Sequence, residues 1–416
     1  MNSYRKDRQY YQFCAYGFLK NLRFFDAFLL LFFLENGVSY TQIGLLYSVR
    51  EISINLLEIP SGLLADSWGR KYSLVLAFAL YIFAFVVFYF SSNFYWLLAA
   101  IFLLGVGDAF RSGTHKGMIM DYLSAKGWSQ HKVSYYGATR SWSQKGSALS
   151  ALVAGFLVLY SGDYRSVYLL SIVPYLFNFV NILSYPQYLN RSPKQSKAKQ
   201  LPSLKSVFQH FLKAIRQKGV RPIINSAALH SAFLKSIKDY IQTVMLAIAL
   251  ALPIMAEHTH KEKGGLVIGL LYFIIFVLNS QASRFAYLLA RGPQIRTAHR
   301  TLFLGLGMGL LSGLMIYGEY WWLAWLFFVL IFVIENLRKP ILTAMLAEKV
   351  PDQVFTSVLS SQSFYKTLLV SALSLSFGFI ADQTNIGMAL MMISLSLVLF
   401  HGLTIGARFT QKEAGI

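Results

Sequence analysis

Residues 62–71 read Gly-Leu-Leu-Ala-Asp-Ser-Trp-Gly-Arg-Lys and separate two long apolar segments, residues 41–65 and 71–91. Each segment is long enough to cross a hydrocarbon core as an α-helix, which takes roughly 20 residues. Gly69 permits a tight turn between them, and the Arg-Lys pair that follows is of the kind that collects on the cytosolic side of membrane proteins. The stretch therefore predicts two membrane helices joined by a short cytosolic loop.

Similar apolar segments recur along the whole chain of 416 residues. Hydrophobic residues make up 56% of it and charged residues only 13%, against about 25% in soluble domains, which is too few to cover a soluble surface. The segments lack the alternation of barrel strands, and helices pair their own backbone groups in lipid. We therefore predict an all-α membrane protein. The twelve predicted spans are residues 10–34, 41–65, 71–91, 94–123, 132–160, 165–186, 222–252, 264–290, 296–317, 320–348, 355–380 and 386–407.

A basic segment, residues 188–220, lies between the sixth and seventh predicted spans and contains no acid. We interpret it as a cytosolic linker between two pseudo-symmetric six-helix bundles, residues 1–187 and 221–416. Lys and Arg concentrate in this linker, at the termini and in the even-numbered loops, which places the N- and C-termini in the cytosol. The net charge of +20 is thus largely an orientation signal, and it does not predict binding to nucleic acid.

The pattern Gly-x-Leu-Ala-Asp-x-x-Gly-Arg-Lys at residues 62–71 resembles the signature loop of the major facilitator superfamily. Its position after the second of twelve spans, together with the long central linker, extends the resemblance to the whole chain. The resemblance implies a secondary transporter with a conformational latch in this loop that stabilises the outward-facing state. The alternative is a plain turn that only sets the topology. The predicted latch residues are Gly62, Asp66, Gly69, Arg70 and Lys71.

Charged residues within the predicted spans are the best indication of a site, because a charged group at the bilayer centre costs about 2.5 kcal/mol or more. Bases outnumber acids among them, so we predict a water-filled cavity for an anionic or carboxylate-bearing solute, either an organic anion or a siderophore-like molecule. The alternative is that several bases extend toward the cytosolic interface. The predicted substrate-binding residues are Arg23, Asn55, Arg111, Arg140, Gln144, Lys235, Gln242 and Lys366.

Energy coupling requires a group whose proton affinity changes as the cavity alternates between water and protein, and buried acids or histidines meet this requirement. No ATP-binding glycine-rich loop is present, so we predict coupling to an ion gradient, most simply of protons, with sodium as the alternative. Each acid is equally well explained by a structural ion pair, and each histidine by packing. The predicted coupling residues are Asp26, Glu51, Asp108, His115, Asp239 and Glu335.

The resulting hypothesis is a proton-coupled secondary transporter that works by alternating access, with a small-molecule substrate and the lipid bilayer as its partners. A multidrug efflux pump is the second choice, because the fifth span lacks the Gly-Pro pair that the resemblance associates with drug–proton antiporters. A membrane-embedded lipid-modifying enzyme is an alternative of another class. We expect a monomer in a bacterial inner membrane, with no cofactor and no metal, and the single cysteine, Cys14, excludes an internal disulfide.

Overall fold

The structure is a computed structural model that describes residues 5–190, 220–253, 255, 257–289, 294–350 and 352–413. These residues are almost entirely helical, and no strand occurs among them. The α-helices before the linker are α1 (Arg8–Lys20), α2 (Leu29–Glu35), α3 (Tyr40–Trp68), α4 (Arg70–Phe90), α5 (Phe94–Arg111), α6 (Thr114–Ala125), α7 (Lys132–Ser161) and α8 (Ser166–Leu183). Those after it are α9 (Arg221–Ile237), α10 (Ile241–Ala251), α11 (His260–Leu289), α12 (Gln294–Tyr317), α13 (Trp321–Lys349), α14 (Asp352–Gln383) and α15 (Ile386–Glu413).

The first predicted span is broken, because a 3-10 segment, Phe24–Ala27, separates α1 from α2. The break follows Asn21, whose side-chain amide donates to the carbonyl of Gly17 at 2.6 Å and so ends α1. The seventh predicted span is interrupted in the same way by the 3-10 segment Lys238–Tyr240 between α9 and α10. Single continuous helices were therefore wrong for these two spans.

The fourth predicted span is also divided, into α5 and α6. The division lies at Gly113, whose φ of 70° is in the left-handed region that glycine adopts at little cost. As a result, the charged end of α5 is followed by a separate helix, α6, rather than by its own continuation.

Seven helical stretches among the described residues are long and apolar enough to cross a membrane. They are Arg70–Phe90, Phe94–Ala125, Ser166–Leu183, His260–Ala282, Arg296–Tyr317, Trp321–Leu346 and Ser361–Gln383. The other predicted spans are broken, short, or rich in charged and polar residues, as α3 and α7 are. The chain is thus an all-α membrane protein, while the count of twelve spans and the cytosolic termini stay predictions.

The helices form two compact units. Unit 1 consists of the described residues within Met1–Gly37, Val49–Ser206 and Ala249–Phe276. Unit 2 consists of those within Val38–Ser48, Val207–Ile248 and Val277–Ile416. The predicted division into residues 1–187, a linker at 188–220 and residues 221–416 stays a prediction. All eight basic residues of that linker lie at positions 191–218, outside the described residues.

Unit 1 has an aromatic core between α4, α8 and the first 3-10 segment. The ring of Tyr168 stacks on Phe25 and Phe88, with centroid distances of 5.4 and 4.7 Å. Phe85 packs against Phe25 from the other side at 5.1 Å. All four rings are at most 1% exposed, so this end of the unit is held together by dispersion and apolar burial.

Glycines bring α7 and α11 into close contact within unit 1. A Cβ added to Gly155 would lie 2.9 Å from the carbonyl oxygen of Gly265 and 3.0 Å from the Cα of Gly269. Both neighbours are backbone atoms, which cannot rotate away. The two helices therefore cross at a distance that only glycine permits.

Unit 2 has an apolar core where α9 packs against α13. The buried side chains of Ile223, Ile224 and Ala227 meet Leu342 and Met345 there. This contact fixes the faces of α9 and α13 toward each other, and it sets the position of the polar residues that follow on both helices.

Candidate functional site

The polar centre of unit 1 is the carboxylate of Asp108 in α5, a residue that is only 6% exposed. Three guanidinium groups meet it. Arg50 of α3 lies 2.8 Å from the carboxylate, and Arg111, one turn further along α5, lies 3.0 Å from it. Arg23, at the start of the first 3-10 segment, lies at 3.3 Å. Because an unpaired buried charge is costly, this cluster holds Asp108 in its ionised form.

Two tyrosines fix the directions of these guanidinium groups. The hydroxyl of Tyr81 donates to Asp108 at 2.6 Å and accepts from Nε of Arg111 at 2.9 Å. The hydroxyl of Tyr175 accepts from Nε of Arg23 at 2.9 Å and donates to the last carbonyl of α1 at 3.0 Å. The cluster is therefore a connected hydrogen-bond network that joins α1, α3, α4, α5 and α8 rather than a set of separate ion pairs.

A cavity of about 380 Å³ opens beside this cluster within unit 1. Its described lining contains four bases and one histidine but no carboxylate. The lining residues are Phe13, Tyr16, Gly17, Lys20, Asn21, Arg111, Gly113, His115, Lys116, Ile119, Tyr136, Thr139, Arg140, Ser143 and Gln144. Its size suits a small solute, and its charge favours an anion.

Three of the predicted substrate-binding residues, Arg111, Arg140 and Gln144, line this cavity together. Arg23 does not line the cavity but forms an ion pair with Asp108 next to it. Asn55 is not among the lining residues either. The rings of α1 that line the cavity were missed by sequence reasoning. The sequence pattern that could have revealed them is the spacing of Phe13, Tyr16 and Lys20, which places the three residues on one face of a helix.

His115, a predicted coupling residue, lines the same cavity but is packed between rings. It stacks on Tyr16 with a centroid distance of 3.5 Å and an interplanar angle of 8°. Its Nε2 lies 3.2 Å from the hydroxyl of Tyr185. Asp26 is half-buried in the first 3-10 segment, where its charge acts on Arg23, and Glu51 is buried in α3.

Unit 2 has a cavity of its own, of about 460 Å³, with a mixed lining. Three lysines and one glutamate face it, including the predicted residues Lys235, Lys366 and Glu335. The lining residues are Ala227, Ser231, Lys235, Glu335, Lys339, Leu342, Thr343, Leu359, Gln362, Ser363 and Lys366. Two further predicted residues lie elsewhere: Gln242 is fully buried, and Asp239 accepts from Lys238 at 2.9 Å.

Glu335 of α13 has an imidazole and a hydroxyl close to it. Its Oε2 lies 2.8 Å from Nδ1 of His230 in α9, and its other oxygen accepts from the hydroxyl of Ser231. Arg338, one turn along α13, points away, with its NH1 on the carbonyl of Ala298 at 2.7 Å and its NH2 on the hydroxyl of Ser226 at 2.8 Å. Asp108 and Glu335 thus both have an arginine three residues later, but only Asp108 forms an ion pair with it.

The predicted latch loop is anchored by residues outside the motif. Arg70 pairs with Asp121 at the end of α6, at 2.5 Å. Gly69, with φ of 106°, packs on the side chain of Asn190, which also accepts from the N–H of Lys71 at 3.0 Å.

The ammonium group of Lys71 donates to the carbonyl of Tyr185 at 2.9 Å. Gly62 lies in open space, and the side chain of Asp66 lies outside the described part of the chain. The role of the loop as a latch stays a prediction, and sequence reasoning did not foresee Asp121 and Asn190 as its partners.

Long helices, two charged cavities and helices broken at their charged residues define a polytopic membrane transporter. The chain belongs to the Major Facilitator Superfamily, whose profile matches residues 17–374. It is therefore a transporter and not an enzyme, which removes the alternative of a lipid-modifying enzyme. No curated protein shows significant sequence similarity to the chain.

Solved transporters share this fold at low sequence identity. The nucleoside transporter NupG is 13% identical with a TM-score of 0.74, over 96% of this chain and 99% of that one. A POT family transporter in complex with 5-aminolevulinic acid is 14% identical with a TM-score of 0.71, over 96% and 95%. A D-xylose–proton symporter is 14% identical with a TM-score of 0.64, over 94% and 96%.

Proposed function

We propose that the chain is a secondary active transporter of a small anionic solute, driven by protons and working by alternating access. The observation that carries this proposal is the unit 1 cavity, which has Lys20, Arg111, Lys116 and Arg140 in its lining and no described carboxylate. Guanidinium groups match carboxylate and phosphate oxygens in pairs, so Arg111 and Arg140 are suited to the anionic group.

For the proton, we assign Glu335 with His230 rather than Asp108. Three guanidinium groups surround Asp108, and adding a proton to it would neutralise the carboxylate that contacts all three. Glu335 faces a cavity and shares hydrogen bonds with an imidazole and a hydroxyl, groups that can accommodate either protonation state. The charged residues around this pair are Lys235, Arg338, Lys339 and Lys366.

The distribution of Lys and Arg among the loops supports the proposed orientation of the chain in the membrane. This orientation places the linker and both termini in the cytosol, and we further propose a monomer in a bacterial inner membrane. One structural neighbour is a proton symporter, so the fold is compatible with proton coupling.

Reconstitution into liposomes with an imposed pH gradient tests the proposal. Succinate, citrate and glycerol 3-phosphate are supplied separately, with ethidium as an amphipathic cation for comparison. We expect one or more of the anions to accumulate, and the accumulation to collapse when a protonophore removes the gradient. Flux of ethidium with none of the three anions would instead support the drug efflux pump and overturn the proposal.

A further inference from the structure

The unit 1 cavity contains more positive charge than a single anionic group could neutralise. Arginine keeps its proton in proteins, so Arg23, Arg50, Arg111 and Arg140 carry fixed positive charges. Arg111 and Arg140 line the cavity, and the other two arginines lie directly behind Arg111 on the shared carboxylate of Asp108. The cavity and its supporting cluster therefore form one electrostatic unit.

Two of the described acids, Asp108 and Asp26, act most strongly on this group of arginines. Asp108 contacts three of them, and Asp26 acts on Arg23 and Arg50 from the first 3-10 segment. Four fixed positive charges against two negative ones leave an excess of two. The lysines in the lining, Lys20 and Lys116, add to this excess when they are protonated.

The excess is concentrated on the cavity side of the cluster. Asp108 faces α3, α4 and the first 3-10 segment, where Arg50, Tyr81 and Arg23 contact it, and it is not part of the described lining. Arg140 makes no described ion pair, and its side chain is exposed toward the cavity from α7. Arg111 and Arg140 thus present charge to a solute from two different helices.

We propose that this cavity selects solutes that carry two negative charges on a compact body, either a dicarboxylate or a phosphate monoester. This inference rests on the proposed anion transport and adds a rule of charge to it. A monoanion would leave at least one positive charge in the cavity without a counter-ion. Rings at the sides of the cavity, those of Phe13, Tyr16 and Tyr136, limit the room for a bulky polyanion.

A charge series on the purified full-length protein tests the rule. Thermal unfolding is followed in detergent with butyrate, with succinate, which has the same number of carbons and a second carboxylate, and with glycerol 3-phosphate. Ionic strength is held constant with sodium chloride, because screening alone changes the stability of charged proteins. We expect succinate or glycerol 3-phosphate to raise the melting temperature in a saturable manner, and butyrate to leave it unchanged.

Two substitutions in α7 test whether the dianion binds in the cavity at Arg140. Arg140→Gln should weaken the apparent affinity for the dianion by about tenfold, which corresponds to about 1.4 kcal/mol, and should leave the ligand-free melting temperature unchanged. Lys145→Gln is the matched control, because Lys145 lies over the ring of Trp142 and outside the lining. It should bind the dianion as the wild type does.

Three outcomes would overturn the inference. These are equal stabilisation by butyrate and succinate, no stabilisation by either dianion, and an equal loss of affinity in Arg140→Gln and Lys145→Gln. A protein that transports a monocarboxylate in liposomes would contradict the rule of charge while leaving the proposed anion transport intact. Which of the two dianions binds distinguishes the dicarboxylate from the phosphate monoester.

Discussion

At the scale of single residues, one acid in each unit has an arginine one turn later, but the two acids have opposite surroundings. Asp108 is surrounded by guanidinium groups, whereas Glu335 is hydrogen-bonded to an imidazole and a hydroxyl. A carboxylate within a cluster of permanent cations is a structural anion. A carboxylate beside an imidazole and a hydroxyl, which can accommodate it with or without a proton, is the better candidate for proton exchange.

Removing the charge of Asp108 should destabilise the protein. Asp108→Asn leaves three partly buried guanidinium groups without the carboxylate that they share, and we expect a loss of about 3 kcal/mol, measured by thermal unfolding of the purified protein. Glu58→Gln is the control, since Glu58 is an exposed acid on α3. Adding Arg50→Gln to Asp108→Asn should restore part of the loss. Equal stability of Asp108→Asn and the wild type would show that the cluster does not depend on this charge.

Glu335→Gln should separate transport from its driving force. The amide can still hydrogen-bond to His230, so we expect exchange of the anion across liposomes to persist while accumulation driven by the pH gradient is lost. Glu348→Gln, an exposed acid on the same helix, should retain both activities. Gradient-driven accumulation by Glu335→Gln at the wild-type level would exclude Glu335 as the proton carrier.

At the scale of helices, the breaks and the glycine contacts determine where charges can meet. Arg23 reaches Asp108 from the start of a 3-10 segment, after Asn21 has ended α1. The glycine contact of α7 with α11 has no side chain between the two backbones at Gly155. Local backbone chemistry, more than apolar pattern, therefore positions the functional groups.

Gly155→Ala should destabilise unit 1 by about 1–3 kcal/mol, because its methyl group would meet backbone atoms of Gly265 and Gly269 that cannot move aside. Gly137→Ala on the same helix is the matched control. A Cβ there would meet nothing within 4 Å, and alanine favours a helix over glycine by up to about 1 kcal/mol. Melting temperatures of the two variants measure the difference, and similar values would contradict the close crossing.

Sequence reasoning found those parts of the site that lie close together in the chain. Asp108 and Arg111 are one helical turn apart, so their spacing places them on one face of α5, although the same spacing of Glu335 and Arg338 gives no ion pair. Arg50 reaches the same carboxylate from another helix, and His230 lies 105 positions from its partner Glu335, which no periodicity reveals. The helix breaks were missed because apolar segments flank them on both sides, while the bond that ends α1 depends on one side-chain amide.

At the scale of the whole molecule, family membership and composition agree on a membrane transporter, and loop charge predicts its orientation. The seven stretches that qualify as spans by hydropathy are the less polar helices. Helices that carry the predicted site, such as α1, α3 and α7, fall outside this set because they contain charged and polar residues or are interrupted. We predict that α1, α3 and α7 also cross the membrane and that their charged and polar residues, which belong to the predicted site, lower their hydropathy.

Cysteine labelling tests the orientation. Cys14 is buried and is replaced by serine, after which a single cysteine is placed at Ser196 in the linker or at His258 in the loop before α11. In intact bacterial cells, a membrane-impermeant maleimide should label His258→Cys and should label Ser196→Cys only after the cells are permeabilised. Labelling of Ser196→Cys in intact cells would reverse the predicted topology.

The glycine contact of α7 with α11 affects how these two helices can move. Helices that interlock through side chains must lift those side chains out of their grooves before they can slide or tilt. Where Gly155 faces Gly265 and Gly269, the backbones meet directly, and one turn along α7 the side chain of Val158 packs against Gly265, so few side chains oppose a change of tilt. We expect the glycine contact to let α7 and α11 change their tilt during each transport cycle while the neighbouring helices stay packed.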